Sequence, residues 1–249
     1  GASYMNKYDF NLYGDPSIKI TASGPPATDF VYLPMIQTNT PSTGGWVNIK
    51  TEDFEGNFPN DWTIYDQGIN SGEFYWGSRS CQAYEGNYSG WGVGGGANGS
   101  GLNCGSNYPN DVESWMEFGP FSLENAIDAE LNFEFWLYSE NDYDYLFFGA
   151  SINGENYFGN SYSGNSGGWQ FYSFNLKDVY SLGDLMGHNQ VWISFVFVSD
   201  SSITYQNGVF IDDIVLRKCD SNCSDTTVGT FPQGINVELI ELLKDKEKY

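Results

Sequence analysis

The chain has 249 residues, with 10 Lys plus Arg against 32 Asp plus Glu and a net charge of -22. That balance excludes nucleic acid and anionic membrane surfaces as partners, because both ask for a basic face, and it makes cations the natural ones. Aromatic residues at 18% argue against disorder, and no apolar stretch is long enough for a membrane-spanning helix.

Residues 1–20 contain Asn11-Leu12-Tyr13-Gly14-Asp15-Pro16-Ser17-Ile18-Lys19-Ile20, a Gly-Asp-Pro turn followed by a short strand. Thr21 to Thr28 has a linker composition. Phe30 to Ile36 is a brief apolar run that Pro34 demotes to an edge strand, and a second linker runs from Thr38 to Gly45. The start at Gly1-Ala2-Ser3 has no signal-peptide pattern, and it reads as the interior of a longer precursor.

From about Trp46 to Lys218 the chain reads as strands. Leu131, Phe133, Phe135 and Leu137 alternate on one face of a strand. Tyr145 to Ile152 is another, with Asn153-Gly154 as a hairpin turn, and Trp169 to Leu176 is a third. Val191 to Val198 is apolar on both faces, as a central strand is. The last is Gly208-Val209-Phe210-Ile211-Asp212-Asp213-Ile214-Val215-Leu216. Alternation along that strand sends one Asp to each face, so one carboxylate points where its apolar neighbours point. A buried unpaired carboxylate is costly. Strands separated by turn signals, with almost no helical periodicity, predict an all-β, two-sheet antiparallel jelly-roll sandwich. The expected divisions are 1–20, a linker with a short strand over 21–48, the sandwich over 49–218, and a C-terminal tail over 219–249. In that tail Asn236 to Leu243 has helical spacing, with Asn236 as N-cap; a strand over Ile235 to Leu239 is the alternative.

The four cysteines form two local pairs, Cys81 with Cys104 and Cys219 with Cys223. Zinc is the competing reading, but it asks for closer spacing in the first pair and nearby histidines, and His188 is the one histidine. Two disulfides are favoured, and with them an oxidising, secreted or cell-surface setting.

Several constellations bear on chemistry. Asp53 and Glu55 share a strand face at the start of the dense region, and Asp212 and Asp213 close it. The first and last strands of a sandwich often lie close together. Bringing these acids side by side gives the all-oxygen cluster that Ca²⁺ takes; the competing reading is solvated or hydrogen-bonded acids at a strand edge. Gly94 to Gly99 matches G-x-G-x-x-G, but no helix pattern follows, so it reads as a flexible loop. His188 reads as a surface turn residue, no serine lies in a recognisable elbow, and no catalytic residue is assigned. Trp169, Tyr172 and Tyr143, with Tyr138, Tyr145 and Trp192, are candidates for an aromatic ligand face, against the ordinary alternative of core packing. The acidic loop Ser139 to Asp144 is solvated or holds a second cation.

The ordered series Asp53-Phe54-Glu55-Gly56-Asn57-Phe58-Pro59-Asn60-Asp61-Trp62, Ser163-Gly164 with Gly168-Trp169, Val196 to Asp200, and Val209 to Ile214 resembles the MAM-like jelly rolls. These include the cleaved-adhesin domains of gingipains and the C-terminal domains of immune-inhibitor-type secreted metallopeptidases. The resemblance spans roughly 50–217. It implies a β-sandwich with structural calcium, usually an accessory module of a secreted protease or surface protein, with Glu55 and Asp212 or Asp213 in the calcium site. Tyr8 to Ser17 resembles the C-terminal edge of a gingipain-type, caspase-like cysteine peptidase domain, which implies that the catalytic residues lie upstream. The expected function is non-catalytic binding or adhesion at the cell surface, to a protein or glycan. The alternatives are a surface filament built of identical subunits, or part of a processed secreted peptidase associated with its upstream peptidase domain.

Overall fold

Alternating apolar and polar residues give each strand one face to bury, and the chain satisfies this by stacking two antiparallel sheets. The computed structural model describes residues 45–69, 72–223 and 234–246. The expected peptidase remnant over 1–20 and the Phe30 to Ile36 strand lie outside these. The strands are β1 (Trp46–Glu52), β2 (Thr63–Asp66), β3 (Tyr75–Arg79), β4 (Ser89–Gly95), β5 (Glu113–Phe121), β6 (Asp128–Tyr138), β7 (Tyr145–Ser151), β8 (Phe158–Ser163), β9 (Gln170–Asn175), β10 (Val191–Val198), β11 (Gly208–Cys219) and β12 (Ile235–Glu238). Two helices accompany them, α1 (Gly96–Gly99) and α2 (Leu239–Lys246).

The first sheet runs β3-β4-β11-β6-β9, with β1 also paired to β11; the second runs β12-β8-β7-β10-β5-β2. The inner faces meet in one core. Leu131, Phe133, Phe135 and Leu137 of β6 lie in it, as their alternation predicts, opposite Leu146 and Phe148 of β7 and Ile193, Phe195 and Phe197 of β10. Each fully buried apolar side chain of this kind contributes about 1.5–3 kcal/mol. Phe133 makes near-perpendicular ring contacts with both Phe148 and Phe195, at 4.9 Å each, which interlocks the sheets.

The second face of β10 is buried as well. Val196 and Val198 join Trp115, Phe147 and Tyr157 in a separate apolar cluster that Leu239 and Leu242 of α2 cover. The expected N-cap at Asn236 is corrected here. Asn236 lies within β12, paired with Asn160 of β8, and the helix begins at Leu239. Sheet edge and helical periodicity share one short segment, and the open edge of β8 takes its first four residues. The G-x-G-x-x-G segment also differs from the expected loop, since it closes into the single turn of α1. Its exposed amides go to Glu73: Ala97 N donates to Glu73 Oε2 at 2.5 Å, and Asn98 and Gly99 donate to the Glu73 carbonyl.

The first and last strands of the dense region do meet. β1 pairs with β11 from Trp46 opposite Cys219 to Glu52 opposite Ile214. β4 pairs with the same edge of β11, but only at Phe210 and Ile211. Between these two partners, at Asp212 and Asp213, the edge is open. The pairing of β11 with β6 slips at that point. Asp212 opposes Glu134 and Val215 opposes Asn132, so two residues of β11 face Phe133 alone. This is a β-bulge, and Asp213 takes φ 47° within it. The expectation that one Asp points inward is therefore corrected. Asp212 shares the outer face with Glu134, the bulge absorbs Asp213, and Ile214 is returned to the core.

Candidate functional site

The outer face of the first sheet carries an acidic cluster. Asp212 is fully buried beneath the segment 81–88; its carboxylate accepts from the amides of Tyr84 at 2.8 Å and Asp213 at 2.9 Å. These amides are part of the answer to its burial, but desolvation prevails and its pKa rises to about 6. Beside it Glu134 is pushed up to about 7, by desolvation first and then by Asp213, while the Tyr84 hydroxyl and Asp212 also act on it. Asp213 is raised by desolvation and by Glu85 and Asp53. The charges acting on these three groups are all carboxylates. The ion pairs of this region fall at Lys50 with Glu52 and Asp61, and at Arg217 with Glu130.

Of the four expected ligands, Asp53 and Asp213 line one hollow and Asp212 stands beside it in β11, but among the described residues no three of these acids offer ligand atoms within 4.8 Å of one another. The hollow, of about 430 Å³, is lined by Asp53, Asp213, Glu52 and Asn60 and by one cation, Lys50, among others. Glu55 is held nearby on the turn 86–88. It accepts from the amides of Asn87 at 2.6 Å and Tyr88 at 2.7 Å, which lowers its pKa. Sequence reasoning missed Glu85 and Glu134. Glu134 was legible as the outward residue between Phe133 and Phe135, but only the register opposite Asp212 shows why that matters.

An all-oxygen set with an acid excess fits Ca²⁺ and suits neither zinc nor soft metals. Asp53 and Asp213, which line the hollow, are the residues available to hold the ion, with Asp212 and Glu134 adding negative charge beside them. Calcium there would supply counter-charge and a tie between β1, β11 and the 81–88 segment.

A second group of acids lies at one end of the sandwich. One carboxylate oxygen each of Glu140, Asp144 and Asp200 lie within 4.8 Å of one another, so this group could hold a metal. Internal hydrogen bonds already engage it. Asp144, fully buried, accepts from the Tyr108 hydroxyl at 2.5 Å and the Asp200 amide at 2.8 Å. The Ser202 amide donates to Asp200 and its hydroxyl to Glu140. Burial raises Asp144 to about 7 against these bonds.

The expected aromatic face is not assembled as one platform. Tyr172 is turned into the core, with its ring 4.6 Å from Phe148 and 5.8 Å from Phe133, because its place on β9 opposes Phe133. Trp192 and Tyr145 pack with the cluster beneath α2. Tyr143 lies exposed in the 139–144 loop. Trp169 takes another position, edge-on to Trp136 at 6.2 Å and to Tyr84 at 5.8 Å.

Beside Trp136 is a groove of about 400 Å³. Trp136 and Tyr138 of β6 and Phe210 of β11 form its floor, and Asn165, Gln206 and Asn207 stand at its rim. Phe210 stacks on Trp91, and Arg79 lies over the far side of that indole. Both rims are braced. Ser166 Oγ accepts from the Leu137 amide at 3.0 Å and donates to the Gly168 carbonyl at 2.7 Å, and Gly164, Gly167 and Gly168 take the positive φ values this turn requires. Opposite, Asn207 N donates to Ser106 O at 2.9 Å, Asn207 Oδ1 accepts from Gly105 N at 3.1 Å, and the Trp91 indole donates to the Asn207 carbonyl.

No protein-family profile matches the sequence, and no curated protein matches it. Among solved structures, the chain is similar to the K1 cleaved adhesin domain of Lys-gingipain from Porphyromonas gingivalis W83, at 15% identity and a TM-score of 0.42, over 67% of this chain and 96% of that one. It is similar to the family 11 carbohydrate-binding module of the cellulosomal cellulase Lic26A-Cel5E of Clostridium thermocellum, at 16% identity and a TM-score of 0.43, over 75% and 100%. It is also similar to the CBM22-1 xylan-binding domain of Xyn10C from Paenibacillus barcinonensis, at 11% identity and a TM-score of 0.41, over 72% and 98%.

Proposed function

We infer that this chain is a secreted or cell-surface, non-catalytic binding module for a glycan or protein, stabilised by calcium and accessory to a secreted cysteine peptidase. The observation that supports the calcium reading is the acid excess at the open edge of β11, where Asp53 and Asp213 line one hollow and Asp212 stands opposite Glu134 beside it. Like charges crowd there, and burial first, then the neighbouring carboxylates, raise their pKa values. Two disulfides, Cys81–Cys104 and Cys219–Cys223, support an oxidising compartment. The peptidase association rests on the sequence resemblance of Tyr8 to Ser17.

Thermal melting with and without a chelator tests this reading. A cation that binds only the folded state adds about 2.7 kcal/mol at a hundredfold excess over its Kd. The melting temperature of the calcium-loaded protein is therefore expected to exceed that of the chelated one by several degrees. Equal melting temperatures refute the calcium assignment.

A further inference from the structure

We propose that the groove over Trp136, Tyr138 and Phe210 binds a neutral oligosaccharide of pyranose sugars. This rests on the binding-module reading above and gives it a site and a ligand class. The chain carries a charge of -22, yet no Asp, Glu, Lys or Arg lines this groove. An anionic ligand would be repelled by the surrounding field, and a cationic one would find no carboxylate at the contact. What remains is a neutral ligand with one apolar face and hydrogen-bonding edges.

A pyranose ring has that form. Its C–H face suits an aromatic floor, and its hydroxyls both donate and accept. The rim matches them with amide side chains, which also offer both functions. Asn165 and Gln206 are exposed, and the volume falls within the range of about 300–1,000 Å³ usual for small-molecule sites. An extended peptide is disfavoured because the groove lies on a sheet face. β6 is paired to β11 along one side; on the other, β9 ends opposite Phe135 and Gly164 and Ser166 take the Ser139 amide and the Leu137 amide and carbonyl; β11 is paired to β4 and β6 at Phe210, so no open strand edge is offered for peptide pairing. The braced rims keep the site formed before binding, which lowers the ordering cost.

The test is affinity electrophoresis of the full chain in calcium buffer. The gels contain mixed-linkage β-glucan, xyloglucan or galactomannan as neutral probes, and polygalacturonate as the anionic one. Retardation by at least one neutral polysaccharide and none by polygalacturonate is expected. Trp136→Ala should weaken that binding about tenfold or more, as removal of a central aromatic anchor does. Should Trp136→Ala fail to fold, Tyr138→Ala and Gln206→Ala replace side chains that are already exposed, and each is expected to weaken binding with an unchanged melting temperature.

Undiminished binding by a folded Trp136→Ala, or by Tyr138→Ala and Gln206→Ala together, overturns the groove while leaving the binding-module reading standing. Binding to polygalacturonate alone, or to none of the four, overturns the ligand class. The calcium-dependent melt is read separately, so its failure is distinguishable from that of the groove.

Discussion

Asp212 stands directly opposite Glu134 across β11 and β6, so two carboxyl groups sit side by side on the outer face of one sheet, a position where like charges are destabilising. Both pKa values are raised, to about 6 and about 7. An acid with a raised folded pKa favours folding fully below its ordinary range near 4. That contribution is lost as pH rises through the folded value.

In chelator, then, the melting temperature is expected to fall between pH 5 and pH 8. On the proposed reading calcium would bind the ionised cluster and reverse the trend, so the calcium-loaded protein is expected to melt higher at pH 8 than the chelated protein. Glu134→Gln should raise the pH 8 melting temperature of the chelated protein and shrink the calcium-induced increase. Scanning fluorimetry over a pH series checks all three. A Glu134→Gln protein that loses stability in chelator at pH 8 contradicts the electrostatic account.

Asp144 supplies an independent pH signature. Burial holds its carboxyl near 7 despite bonds from Tyr108 and Asp200, and the sign is the same: ionisation on the way from pH 5 to pH 8 costs stability. Asp144→Asn keeps an oxygen for the Asp200 amide and removes the charge. Its melting temperature is expected to exceed that of the parent at pH 8, with the gap narrowing towards pH 5. A gap independent of pH would place the effect in packing instead.

The segment 79–104 is held covalently and by one side chain. Cys81–Cys104 closes a separation of 23 residues, a restraint of about 3 kcal/mol on the chain-entropy model. Arg79 donates to the carbonyls of Gly94, Gly99 and Leu102 while covering Trp91. Arg79→Leu leaves those acceptors without a partner, at about 1–3 kcal/mol for each that stays dry. Urea denaturation should show a loss of at least about 2 kcal/mol. A loss below about 0.5 kcal/mol would mean that water replaces the guanidinium without cost.

Helix α2 closes the second apolar cluster through Leu239 and Leu242. Leu239→Ala is expected to destabilise the chain by about 2–4 kcal/mol. Truncation after Cys223 should uncover Trp115, Phe147, Val196 and Val198, and the truncated chain should bind a hydrophobic dye that the intact chain excludes. Equal dye binding by both chains would show that α2 does not shield that face.

Much of this architecture was legible in the residue pattern. The alternation of Leu131 to Leu137 marked a half-buried strand, and the continuous apolar run of Val191 to Val198 marked one buried on both faces; the cysteine spacing pointed to the observed pairs. These are local signals, because side-chain direction in a strand repeats every two residues whatever the strand pairs with. The groove was only half visible. Tyr138 was among the candidates, but Trp136 and Phe210 were read as strand residues, and Tyr172, offered for a ligand face against core packing, lies in the core. Aromatic content says nothing of which face a ring takes.

By itself, then, the sequence determined the strands, the cysteine partners and an acid excess from which a cation was expected. Tertiary structure alone decided that β1 and β4 divide one edge of β11 between them, leaving Asp212 and Asp213 in the gap. It also decided that Glu134 faces them and that a bulge turns Asp213 away from the core. The reason is physical: register between strands far apart in the chain is set by the packing of two whole faces, and a single extra residue, invisible to any local pattern, reverses the direction of every side chain beyond it.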